Sequence, residues 1–167
     1  MKQINQSIDW QDFTWKNEVL LVILHADKIP PHLGWITDGK FFSAKARSAD
    51  IDVPVESVFN IIDTKNITTL CYQLDAKYFR TNEWLIDLFS AYKNGLPVHQ
   101  TCLMPLLEIV QPDCNCSTIS DLIQYLEKEN AIIQSYSLHT SDDFNGLPTY
   151  SKKDIIERIN FLKHGAR

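Results

Sequence analysis

The side chains best suited to chemistry in this sequence are the imidazole of His32 and the thiol of Cys102. A thiol becomes a strong nucleophile as its thiolate, and a nearby imidazole can accept the proton. Cys102 begins an apolar run at 102–110 that is predicted to be a helix, and a helix N-terminus favours a thiolate. A thiol and an imidazole are the groups that a cysteine-dependent hydrolase uses as nucleophile and base, so Cys102 and His32 are candidates for such chemistry.

A competing interpretation assigns the same thiols to a metal. The four residues involved, in chain order, are His99, Cys102, Cys114 and Cys116. One histidine and three cysteines form a tetrahedral set that Zn²⁺ accepts, although the final Cys-x-Cys pair is tighter than the usual spacing. A small zinc-stabilised domain is therefore an alternative, and in it Cys102 would be a ligand and not a nucleophile.

Hydrophobic periodicity predicts the elements that must position these side chains. Asp38-Gly39 lies between two apolar runs and favours a type I′ hairpin turn, because both central residues need a positive φ. Strands are predicted at 17–27, 32–37, 40–46, 66–74 and 131–138, and helices at 53–63, 81–95, 102–110, 117–130 and 151–165. This order predicts an α+β fold, a mainly antiparallel sheet flanked by helices, formed as a single domain over residues 1–167.

The stretch EVLLVILHADKIPPHLGWITDGKFFSAKA resembles the strand core of the NlpC-like, papain-related superfamily. Members combine an apolar strand, a His-x-Gly strand, an Asp-Gly or Asn-Gly turn and a returning strand. The matching positions here are His32, Gly34, Trp35, Ile36, Asp38 and Gly39. No cysteine precedes His32, so the resemblance is to the circularly permuted branch, which includes the lecithin retinol acyltransferase-like families. It implies a permuted papain-like domain in which a later cysteine, here Cys102, opens a helix. The expected function is then a cysteine-dependent hydrolase or acyl-transfer enzyme, amidase-like or peptidase-like, with Cys102 as nucleophile and His32 as base. Cys116 is the second choice of nucleophile.

The resemblance also implies a third residue, which orients the imidazole from the returning strand about a dozen positions after the histidine. The nearest polar side chains there are Ser43 and Lys45, and we take Ser43 as the candidate. A hydroxyl is a weak acceptor and an ammonium group has no acceptor at all. The alternative is therefore a non-catalytic interaction or scaffold domain of the same fold.

Composition and charge limit the expected partners. Lys and Arg total 16 against 21 Asp and Glu, which gives a formal charge of −5 and argues against nucleic acid as a partner. No run approaches the ~20 apolar residues of a membrane span, and the N-terminus lacks an apolar secretion signal, so a cytoplasmic location is predicted. We find no phosphate-binding loop or dinucleotide fingerprint and predict no cofactor. The expected partner is a small molecule, a peptide or a protein, which the sequence does not identify.

Overall fold

A computed structural model of the chain describes residues 9–113 and 115–165. In those ranges the strands are β1 (Val19–Leu24), β2 (His32–Thr37), β3 (Lys40–Ala44), β4 (Ala49–Pro54), β5 (Thr69–Leu74) and β6 (Ile132–Leu138). The α-helices are α1 (Val55–Lys65), α2 (Asn82–Ser90), α3 (Met104–Val110), α4 (Ile119–Lys128) and α5 (Lys152–His164). Short 3-10 helices span Trp10–Asp12 and Ala76–Tyr78.

The strands form one sheet in the order β4-β3-β2-β1-β5-β6, and every neighbouring pair is antiparallel. The central strand β1 is buried on both faces, as its continuous apolar sequence predicts. Helices α2 to α5 cover one face and form the large core with it. Helix α1 and the aromatic side chain of Trp15 cover the other face and form the α1 core. The predicted α+β fold with an antiparallel sheet is confirmed.

The predicted hairpin and helix caps explain much of the local structure. Asp38 and Gly39 have φ values of 50° and 76°, as a type I′ turn between β2 and β3 requires. Thr81 caps α2 through the backbone N–H of Trp84. Ser151 begins α5 with a reciprocal capping box, in which its side chain and that of Asp154 each accept from the other's backbone N–H.

The structure differs from the prediction at β4, because no strand is predicted at residues 49–54. Val53 and Pro54 pair with β3, so α1 begins at Val55 and not at residue 53. Pro54 is tolerated there because β4 is an edge strand, where a missing N–H leaves no ladder bond unmade. Helix α3 also begins later than predicted, at Met104, so Cys102 lies in the turn before the helix.

Over the ranges 9–113 and 115–165, no helix combines the length and apolar character that crossing a bilayer requires.

Candidate functional site

A β-bulge between β3 and β4 determines the partner of Ser43. Phe41 pairs with Val53, but Ser43 pairs with Asp50, so β4 contributes one residue more than β3 to this interval. In an uninterrupted ladder, Ser43 would lie opposite Ile51. Bulges re-aim side chains and are frequent beside active sites. Here the bulge sets the Asp50 carboxylate against the Ser43 hydroxyl.

Four polar side chains form one hydrogen-bonded chain at this bulge. Ser43 Oγ donates to Asp50 Oδ2 at 2.7 Å, and Lys45 Nζ donates to Asp50 Oδ1 at 2.6 Å. His32 Nε2 lies 3.1 Å from Ser43 Oγ. Because the single hydroxyl proton goes to Asp50, His32 Nε2–H is the donor to Ser43. The neutral ring then keeps Nδ1 as its acceptor, which is the nitrogen a base needs.

The surroundings of His32 keep its ring neutral. The pKa of His32 is lowered from 6.5 to about 4: burial is the largest cause and the Lys45 ammonium group acts in the same direction, while the Asp50 carboxylate acts in the opposite one. Ser43 is fully buried, so its hydroxyl cannot exchange this partner for bulk water. His32 is therefore an oriented, unprotonated imidazole at neutral pH, and the same low pKa makes its free Nδ1 a weak base.

Cys102 lies in a less activating environment than the sequence suggested. Its side chain belongs to the large core and is 9% exposed. Burial raises the pKa of the Cys102 thiol to about 11, although the backbone amides of Leu33 and of Cys102 itself lower it by a smaller amount. The side chain is therefore a protonated thiol at neutral pH. The expected stabilisation of a thiolate by a helix N-terminus is outweighed by the loss of water around the sulfur.

The backbone N–H groups before α3 explain why the helix end gives so little help. The Leu103 N–H donates to Thr101 Oγ1 at 3.3 Å, and the Met104 N–H donates to Thr101 O at 3.0 Å. The next residue, Pro105, has no N–H to offer. Neither the thiol nor a bound oxyanion can use the first two groups unless Thr101 releases them.

His32 and Cys102 approach the start of β2 from different sides. Leu33 and Trp35 face the large core, which contains Cys102, whereas Ile36 faces the α1 core. Because side chains alternate along a strand, His32 shares the face of Ile36. The structure therefore brings His32 to Ser43 and brings Cys102 to the backbone of Leu33, one residue from His32.

Two cavities meet at this end of the sheet. The small cavity has a volume of about 480 Å³, and both His32 and Cys102 line it. The large cavity has a volume of about 1020 Å³ and lies against α1, with His32, Lys45 and Asp50 in its wall. Its size is at the upper end of the range for small-molecule sites. His32 and Lys45 line both cavities, so the imidazole lies where they adjoin.

The other predicted candidates do not join this site in the described residues. His99 is exposed, while Cys116 is buried ahead of α4. Within residues 9–113 and 115–165, no group of three or more His, Cys, Asp or Glu side chains is arranged to hold a metal ion. Cys114 lies outside the described residues, so the four-residue zinc set stays a prediction.

Asp50 is the site residue that sequence reasoning missed. The predicted strand 40–46 ends before Asp50, and residues 49–54 are not predicted as a strand. Residues 49–53 do alternate apolar and acidic side chains, which is a strand pattern, but the predicted helix 53–63 overlaps their end. The alternation was therefore the available signal for β4, whereas the register that sets Asp50 against Ser43 depends on a bulge that the sequence does not reveal.

Searches of family models, curated proteins and solved structures found no match to this chain.

Proposed function

We propose that this chain is a cysteine-dependent hydrolase or acyl-transfer protein in which Cys102 is the nucleophile, His32 the base and Ser43 the group that orients His32. One observation carries the proposal: the His32–Ser43–Asp50 hydrogen bonds hold a neutral imidazole beside a cavity that Cys102 also lines. A buried hydroxyl group needs a hydrogen-bond partner, and Ser43 has one in the Asp50 carboxylate. This arrangement fixes a ring with one free nitrogen, which a general base requires.

In the proposed reaction, the Cys102 Sγ–H proton passes to His32 Nδ1 while the sulfur attacks an acyl carbonyl carbon. A C–S bond forms, and the leaving amine or alcohol takes the proton from Nδ1 as its bond to carbon breaks. Water or a second acceptor then attacks the thioester, again giving its proton to Nδ1, and the thiol is restored. The Cys102 thiol lies in the large core, on the opposite side of β2 from His32. Entry of the substrate must therefore draw the sulfur out of the large core toward the ring.

A non-catalytic binding domain of the same fold is the second candidate. It is favoured by the Cys102 pKa of about 11 and by the position of the thiol in the large core, on the opposite side of β2 from His32. A structural thiol has these properties, whereas a resting nucleophile has a lowered pKa. The two candidates share the ordered imidazole and differ only in whether Cys102 reacts.

Thiol labelling separates them. The chain is treated with iodoacetamide at neutral pH, and the rate at each cysteine is measured by peptide mass spectrometry. Cys71 is the internal control, because it is fully buried and burial raises its pKa to about 12. The lower pKa of Cys102 favours it by about tenfold even in a non-catalytic domain, so an enzyme is expected to show a larger ratio, and His32→Ala is expected to slow Cys102 alone. His164→Ala, at the exposed end of α5, is the matched control.

An acyl-transfer readout completes the test. With p-nitrophenyl acetate, an enzyme should release nitrophenolate and carry an acetyl group on Cys102, and Cys102→Ser should abolish both. If His32→Ala leaves the labelling rate of Cys102 unchanged and no acetyl group is found on Cys102, the chain is the non-catalytic domain.

A further inference from the structure

We infer that the large cavity binds a small anion that carries an apolar tail. This inference goes beyond the proposed thiol chemistry and does not depend on it, because it concerns groups in the wall of the large cavity that take no part in the reaction.

The charges around the large cavity are the first observation. Four cationic side chains line it, against two carboxylates, although the whole chain has a formal charge of −5. The cations are Lys28, Lys45, Arg47 and Lys65, and the carboxylates are Asp27 and Asp50. The local excess of positive charge makes the wall complementary to an anion.

Only two of these cations are neutralised by a carboxylate. Lys28 Nζ lies 3.0 Å from Asp27 Oδ2, and Lys45 Nζ lies 2.6 Å from Asp50 Oδ1. Within the described ranges, Arg47 and Lys65 have no carboxylate oxygen in ion-pair distance.

The hydrogen bonding of Arg47 leaves room for a ligand. Arg47 Nη2 donates to the backbone oxygen of Lys163 at 3.2 Å, which anchors the guanidinium group at the end of α5. A guanidinium group has five N–H donors, so others stay available for an anion. Its planar fork suits a carboxylate or phosphate oxygen pair. The anionic head of the ligand should therefore lie at Arg47 and Lys65.

Exposed apolar side chains around the same cavity are the second, independent observation. Ile61, Phe161 and Leu162 all line it, and they are 51%, 56% and 40% exposed. They come from α1 and α5, which are distant in sequence, so their meeting at one opening is a tertiary feature. Large side chains exposed singly need no explanation, but a cluster beside unpaired cations is typical of a ligand site. The tail of the ligand should cover these three side chains.

Fluorescence competition tests the inference on the full chain. Anilinonaphthalene sulfonate is bound first, and four compounds compete with it: octanoate, octanol, octylamine and acetate. We expect octanoate to displace the dye at a concentration at least about tenfold lower than the other three, because only octanoate offers both a charge and a tail. Equal displacement by octanol and octanoate would overturn the inference, as would equal displacement by acetate.

Paired variants locate the site. Arg47→Gln and Lys65→Gln should each weaken octanoate binding several-fold, while Lys152→Gln, an exposed lysine outside the cavity, should not. Ile61→Asn should weaken it, while Ile133→Asn, at an exposed position on β6, should not. A loss shared by the control variants would mean that binding is non-specific and would refute the site.

Cys102→Ser should bind octanoate as the unmodified chain does. This variant separates the two proposals, because a loss of acyl transfer leaves octanoate binding intact if the inference is correct. Conversely, Arg47→Gln should lose octanoate binding while Cys102 labels at an unchanged rate. That result would show that the octanoate site does not depend on the thiol chemistry.

Discussion

Ser43 and Asp50 lie directly opposite each other across β3 and β4, and the Ser43 hydroxyl donates to Asp50 Oδ2 at 2.7 Å. The orientation of His32 follows from this pair, because a hydroxyl group whose proton is already committed can only accept from the imidazole. Lys45 completes the arrangement by neutralising Asp50 from the other oxygen. The hydrogen bonds therefore fix the tautomer of His32, while burial keeps the ring neutral.

Replacing Ser43 by alanine should destabilise the chain by about 1–3 kcal/mol, because the His32 Nε2–H and one Asp50 oxygen would each lose a buried partner. Urea denaturation followed by circular dichroism measures the change. Ser57→Ala is the matched control, since Ser57 is exposed on α1, and its effect should stay within about 0.5 kcal/mol. Equal stability of the two variants would show that the Ser43 hydrogen bonds contribute nothing.

The lowered pKa of His32 predicts how stability depends on pH. The unfolded chain takes up a proton near the ordinary pKa of 6.5, whereas the folded chain does so only near 4. The contribution of His32 is therefore complete above pH 6.5 and is lost as the pH falls from 6.5 to about 4. At ~1.4 kcal/mol per pKa unit, the full loss is about 3–4 kcal/mol at most.

Denaturation of the unmodified chain and of His32→Gln at a series of pH values tests this dependence. We expect the free energy of unfolding of the unmodified chain to fall more steeply across that interval, because glutamine does not titrate. If the two curves run parallel, the ring is not held neutral by the fold.

Local patterns were sufficient to predict one half of the candidate site. The Asp38-Gly39 turn sets the register of the hairpin, and strand alternation then places His32 and Ser43 on one face. Both steps use neighbouring residues only. The choice of Ser43 itself came from the resemblance to permuted papain-like proteins, and its 3.1 Å contact with His32 agrees with that choice.

The other half depends on contacts that neighbouring residues do not determine. Asp50 reaches Ser43 through a bulge, and a shift of one residue would present Ile51 instead. The side on which Cys102 packs is decided by how α3 docks on the sheet, and an apolar helix offers no sign of the face it will cover. The pKa of the thiol follows from that docking, so the sequence could suggest a nucleophile without showing its environment.

Gly34 has no room for a larger side chain in β2. A Cβ atom added there would overlap the ring of Phe41, which packs across the strand on the face shared with His32. Gly34→Ala should therefore lower the free energy of unfolding by about 1–3 kcal/mol, as overpacking of a core does. Adding Phe41→Leu to that variant should recover part of the loss, because the smaller side chain vacates the space. If the double variant loses as much as the two single losses combined, the clash is not the cause.

Asp63 should hold the N-terminal segment against α1. Trp10 Nε1 donates to Asp63 Oδ2 at 2.8 Å, His139 Nε2 lies 2.9 Å from Asp63 Oδ1, and the Trp10 ring stacks on Phe59 at 5.6 Å. The bonds from Trp10 and His139 lower the pKa of Asp63. Their stabilising effect is therefore present above the ordinary pKa of 3.8 and is lost as the pH falls through the lowered value.

Asp63→Asn removes the negative charge and one of the two acceptor oxygens, so it should weaken the contacts with Trp10 and His139. Because the site is partly exposed, we expect a modest effect: trypsin should cleave after Lys16 about two- to fivefold faster at neutral pH, measured by mass spectrometry over time. Asp142→Asn, in an exposed loop, is the control and should leave the rate unchanged. Equal cleavage of Asp63→Asn and the unmodified chain would mean that the packing of Trp10 on Phe59 is enough to retain the segment without the carboxylate.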